Sequence, residues 1–104
     1  MTKTIKLDND TIVKLNKIEA IYRYNKWNIK VYVSGNVFKI KISQNCDNAD
    51  KITDLFIKAL EALVDPEKGK DKYQVIKNQW GKYNGTFKEF IVDKIVDVNL
   101  LFKY

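Results

Sequence analysis

Through the first 46 residues, apolar side chains recur at every second position with turn-forming residues between the runs, a rhythm that predicts β-strands. Lys3 to Leu7 reads as an edge strand. Asp8-Asn9-Asp10 reads as a turn, because short Asn and Asp side chains bond their own backbone, and Thr11 to Tyr24 then reads as extended. Asn25-Lys26 closes a hairpin into Trp27 to Val33, where Trp27, Ile29, Val31 and Val33 share one face and Asn28, Lys30 and Tyr32 take the other. Ser34-Gly35-Asn36 is a second tight turn, with Gly35 free to adopt positive φ. Val37 to Ser43 follows, with Phe38, Ile40 and Ile42 inward and Lys39 and Lys41 outward. An antiparallel meander with one buried face is the economical reading of this half.

After Cys46 the period changes. Ile52, Leu55, Phe56, Ala59, Leu60 and Leu63 fall at helical spacing, Asp47 is placed to cap the first turn, and Asp65-Pro66 ends the helix because the residue before proline is pushed out of helical geometry. The apolar stripe is expected to lie across the buried face of the sheet. Beyond the solvated loop Glu67-Lys68-Gly69-Lys70-Asp71, two readings stand. Tyr73, Ile76, Trp80 and Tyr83 fit a helix, whereas aromatic and β-branched density with Gly81 and Asn84-Gly85 favours strands and turns. The stretches from Ile12 to Ile21 and from Glu89 to Val98 resemble each other and both read as strand, bend and strand, with a helix capped by the box Thr86-x-x-Glu89 as the alternative for the second. The fold expected is α+β: an antiparallel β-meander, one main helix packed on one face, and further C-terminal strands.

Length and composition narrow the class. A chain of 104 residues with 45% hydrophobic and 31% charged residues has room for one domain, spanning 1–104, with a modest core. Its apolar runs fall far short of the roughly 18 residues a membrane span needs, and its first residues lack the hydrophobic stretch of a secretory signal. The single cysteine, Cys46, cannot pair within the chain, which fits a reducing compartment, so the expected location is cytoplasmic with no membrane partner. Charge is unevenly distributed along the chain. Residues 1–46 carry nine Lys and Arg against three acids, and residues 47–71 four against seven, so a basic sheet and an acidic helix are expected to make a two-sided molecule. The net charge of +6 favours phosphate backbones or acidic protein surfaces, although a single arginine, Arg23, argues against bidentate phosphate clamps.

The absence of histidine removes Ser-His-Asp, Cys-His and every His-based metal site, and one cysteine removes multi-thiolate zinc and intrachain iron-sulfur clusters. Carboxylates remain, so a magnesium-dependent nuclease is the enzyme to weigh. Asp8 and Asp10 sit in a turn, Asp93 and Asp97 read as a solvated pair, and no phosphate-binding loop or dinucleotide fingerprint occurs. No catalytic residue, metal site or cofactor is therefore expected. The positive signal is the outward face of the meander, where Lys30, Tyr32, Lys39 and Lys41 lie near Tyr22, Arg23 and Tyr24. Lysines meeting phosphates and tyrosines stacking on bases are the chemistry of single-strand binding platforms. A solvated face whose lysines protect sheet edges is the plainer reading. Trp27 and Trp80 read as core residues. Tyr83 and Tyr104 read as exposed, and Tyr83 joins Arg23, Lys30, Tyr32, Lys39 and Lys41 as a candidate partner-binding residue.

In size, in Lys/Asn/Ile richness, in the meander from Trp27 to Ser43 and in the acidic helix from Asp47 to Val64, the chain resembles small inhibitors of phages and mobile elements, including anti-CRISPR proteins. The stretch Phe90 to Val98 is also similar to a strand-bend-strand of WYL and PH-like domains. The first resemblance implies a non-catalytic inhibitor, monomeric or homodimeric, that occludes a host protein or ribonucleoprotein complex of defence or nucleic-acid processing. The alternative is a single-strand nucleic-acid-binding accessory protein using the basic-aromatic face.

Overall fold

The computed structural model describes residues 3–42, 49–65, 67 and 70–94. Five strands come first, β1 (Thr4–Asp8), β2 (Thr11–Lys14), β3 (Ile18–Arg23), β4 (Asn28–Val33) and β5 (Asn36–Lys41). Three helices follow, α1 (Ala49–Val64), α2 (Lys70–Lys82) and α3 (Phe87–Asp93). The chain is an α+β fold with antiparallel strands. The strands form two sheets, a β1-β2 hairpin and a β3-β4-β5 meander. The run expected to be extended from Thr11 to Tyr24 is broken by a single 3₁₀ turn at Leu15–Lys17. The bend separates the sheets, so Ile12 to Ile21 is indeed strand, bend and strand.

Turn chemistry sets the registers. Asp8 Oδ1 accepts from the Asp10 amide at 2.9 Å, and Asn25 Oδ1 accepts from the amides of Trp27 and Asn28, both at 2.9 Å, fixing the β3-β4 connection. Between β4 and β5 the two-residue loop Ser34-Gly35 has φ of 50° and 83°. Paired positive φ values match the right-handed twist of the strands, and the glycine takes the second at no steric cost. With Val33 thereby set opposite Asn36, Ile29 faces Ile40 and Val31 faces Phe38 across one side of the sheet.

That side is the core. Ile29, Val31 and Ile40 are fully buried, and α1 crosses β3 and β4 with Phe56, Ala59 and Leu60, also fully buried. The helical stripe thus has the role its spacing predicts, each large aliphatic contributing about 1.5–3 kcal/mol by leaving water. Thr53 of α1 is polar and fully buried, and its hydroxyl donates to the Lys26 carbonyl at 2.7 Å, tying the helix to the β3-β4 turn. Asp47, the expected cap, lies outside the described residues, as do Cys46, Ser43, Asp97 and Tyr104.

Where C-terminal strands are expected beyond the loop at residues 67–71, the described part, up to Lys94, holds helices α2 and α3 instead, and α2 begins inside that loop at Lys70. Tertiary packing overrides the local β preference here. Ile76 is fully buried while its neighbour Val75 is 37% exposed; Ile76 and Trp80 lie one turn apart on α2, which packs on α1, and Tyr83 just past α2 and Phe87 at the start of α3 join the same core. Thr86 and Glu89 form the capping box: the Thr86 hydroxyl accepts from the Glu89 amide at 3.1 Å and Glu89 Oε1 accepts from the Thr86 amide at 3.2 Å. Such a cap contributes about 1 kcal/mol, which a seven-residue helix needs. The described part of the Glu89 to Val98 stretch, up to Lys94, is therefore helix and turn. It has no strand-bend-strand geometry, and residues 95–98 lie outside the described part. Phe87 and Phe90 close the core, and α3 lies against β1.

Candidate functional site

With one side of the β3-β4-β5 sheet committed to α1, period two sends the alternate residues to the other side. Lys30, on the central strand, stands between Tyr22 of β3 and Lys39 of β5; Tyr32 stands between Ala20 and Val37; and Lys41 lies opposite Asn28. Tyr24, just past β3, belongs to the same surface, since Lys30 Nζ lies 4.6 Å and Lys39 Nζ 5.3 Å from its ring centroid. Tyr22 meets Tyr32 edge to face, with centroids 5.4 Å apart and planes at 84°. Tyr22 and Tyr24 remain 56% and 55% exposed. Of these residues Ala20, Tyr22, Tyr24, Lys30 and Tyr32, together with Glu19, Arg23 and Gly35, line an open concavity of about 560 Å³.

The electrostatics of this face are unusual in one respect. Lys30 and Lys39 are direct cross-strand partners, and like charges in that arrangement destabilise a sheet. The Tyr24 ring offsets part of the cost by attracting both ammonium groups, by about 0.5–1 kcal/mol for each exposed cation–π contact. An anion bound between the lysines would relieve the rest.

Of the six residues singled out from sequence, the fold brings together Lys30, Tyr32, Lys39 and Lys41. Arg23 borders the same concavity, but it is the register partner of buried Ile29 and its guanidinium is engaged on the helix side. It donates to Asp50 Oδ1 at 2.7 Å and to the Asp50 carbonyl at 3.0 Å. Its charge is thereby largely matched within the chain. Trp80 joins the core as expected, while Trp27 is half-buried with Lys26 Nζ 4.8 Å from its ring centroid.

Tyr83 does not share the face. It is half-buried between α2 and α3, stacked on Trp80 at 6.2 Å and edge-on to Phe90 at 5.5 Å, and its hydroxyl donates to Asp93 Oδ2. The hydrogen bond to this carboxylate, reinforced by its charge, pushes the phenol up from 10.0 to about 12. The stabilisation from this bond is fully present below pH 10, the ordinary phenol value, and is lost as pH rises through about 12. An alkaline absorbance titration is expected to show tyrosinate still forming near pH 12. Asp93→Asn should bring that last step back toward the ordinary range. A titration complete well below pH 12 in the unmodified protein would contradict the contact.

One residue escaped the sequence reading, namely Glu19. Its carboxylate Oε1 accepts from the Gly35 amide at 2.7 Å, placing an acid on the rim of an otherwise basic and aromatic surface. The available signal was its isolation, as the lone acid between Asp10 and Asp47.

Comparisons with protein families, curated proteins and solved structures found no match. Among the described residues, no helix is long and apolar enough to cross a membrane, and no group of three or more His, Cys, Asp or Glu side chains converges as a metal site would require. The described surface sets the Lys30 and Lys39 ammonium groups beside the exposed Tyr24 ring.

Proposed function

We propose that the protein is a non-catalytic binding module whose β3-β4-β5 face takes single-stranded nucleic acid. The observation that carries the reading is the Lys30-Lys39 cross-strand pair gathered on the Tyr24 ring. A like-charge pair held at a cost to the sheet gains most from a polyanion, and phosphates bridging it leave Tyr22, Tyr24 and Tyr32 to stack on the bases between them. Unstacked bases are a property of single strands, so a duplex is the poorer ligand.

Fluorescence anisotropy with a labelled single-stranded oligonucleotide across a salt series tests this. Three phosphates on Lys30, Lys39 and Lys41 predict that log affinity falls with log salt at a slope of about −2, with the matching duplex bound more weakly. An affinity that ignores salt, or an equal preference for duplex, would overturn the reading.

A second reading, the occluding inhibitor that the sequence resemblance implies, is favoured by the exposed cluster of Tyr22, Tyr24 and Val37, the last 48% exposed. Aromatic and aliphatic surface rimmed by charge is also the composition of protein interface centres. Host-complex binding that survives nuclease treatment and changes little with salt belongs to this reading.

A further inference from the structure

Resting on the single-strand reading, we propose that the concavity selects guanine and that Glu19 is the base-reading residue. Three observations converge on it. First, β3 carries a register irregularity between Ile18 and Ala20, with Ile18 opposite Val33 but Ala20 opposite Tyr32, which leaves Glu19 as the extra residue of a bulge. Strict alternation would turn Glu19 to the inner side with Ile21 and Arg23. Bulges re-aim side chains in this way.

Second, the carboxylate is held. Oε1 accepts from the Gly35 amide at 2.7 Å, so the group is oriented before any ligand arrives, and Oε2 makes no hydrogen bond among the described residues. Third, the acid lines the same concavity as Tyr22, Tyr24, Tyr32 and Lys30. A base stacked on the tyrosines, with its phosphate on the lysines, therefore brings its Watson–Crick edge to a pre-oriented carboxylate.

The chemistry of that edge chooses the base. An ionised carboxylate only accepts. Guanine presents two adjacent donors, the ring N1–H and the 2-amino group, to its two oxygens. Adenine and cytosine each set an amino donor beside an acceptor nitrogen, which would face a carboxylate oxygen with repulsion. Thymine and uracil offer one N–H between two carbonyls. Lysines alone would bind all of these equally, so the acid is the part of the face able to discriminate.

The test uses short thymidine tracts whose central base is left as thymine or replaced by guanine, hypoxanthine or adenine. Guanine is expected to bind about fivefold more tightly than thymine, the low end for a bidentate base contact because the site is open. Hypoxanthine, which keeps N1–H and lacks the 2-amino group, should lose most of that gain. Glu19→Gln retains an oxygen for the Gly35 amide, so the turn and the affinity for the plain tract should persist while the guanine preference vanishes. A turn-capping role alone would leave the base preference unmoved. Equal binding of all tracts by the unmodified protein, or a guanine preference that survives Glu19→Gln, overturns the assignment and leaves the single-strand reading standing. Failure of every tract to bind at low salt overturns both.

Discussion

Phe87→Ala is expected to destabilise the protein by about 3–5 kcal/mol, read as a drop in urea midpoint at unchanged slope. Phe87 is fully buried and its ring meets Phe56 of α1 and Trp80 of α2 at the same centroid distance, 5.1 Å, and Phe90 of its own helix at 5.7 Å. Its ring thus meets aromatic residues of all three helices. Truncation removes apolar burial, leaves a cavity among rings too rigid to collapse into it, and forfeits edge-to-face contacts of about 0.5–1.5 kcal/mol each. Against a total stability of roughly 5–15 kcal/mol for a domain, that loss should lower the melting temperature by about 15–30 °C. Val92→Ala, at a position 43% exposed on the same helix, should stay within about 0.5 kcal/mol. A Phe87→Ala cost below about 1 kcal/mol would mean that the aromatic cluster does not hold the helices together.

Lys30→Ala with Lys39→Ala should separate function from stability. Each lysine that meets a phosphate contributes about tenfold at low salt, so single-strand affinity should fall by roughly 100-fold and the salt slope should flatten by about 1.4. Stability should remain within about 0.5 kcal/mol of the unmodified protein, because relief of the cross-strand repulsion offsets the lost contacts with Tyr24. Lys6→Ala with Lys14→Ala, exposed on the other sheet, is the matched control and should leave affinity nearly unchanged. If both double variants bind alike, net charge alone explains the attraction and the Lys30-Lys39 pair has no special part.

The strands and α1 were legible because each has one face against the core, so burial imprints its period on the sequence: Ile29, Val31 and Val33 in β4, and Ile52, Leu55, Phe56, Ala59, Leu60 and Leu63 in α1. Residues 72–94 were harder to read, because Ile76 and Trp80 fit helical spacing but also have high strand preference, and the packing of α2 on α1 decides between the two. The box at Thr86 and Glu89 was the local signal that pointed correctly. For the site, alternation alone placed Lys30, Tyr32, Lys39 and Lys41 on one face. Arg23 borders the concavity as read, but its pairing with Asp50 depends on a partner distant in sequence, and Tyr83 was read as exposed because its burial depends on the α2-α3 geometry that brings Trp80 and Asp93 to it. Glu19 was hidden because a bulge breaks the period-two rule at that residue.

The packing of α3 on β1 joins the first described strand to the last described helix. During synthesis the amino-terminal hairpin must therefore wait, its Ile5 and Leu7 side uncovered, until Phe87 to Asp93 has left the ribosomal tunnel. A stalled nascent chain lacking that segment would leave the Ile5 and Leu7 side of the strand pair without its α3 cover.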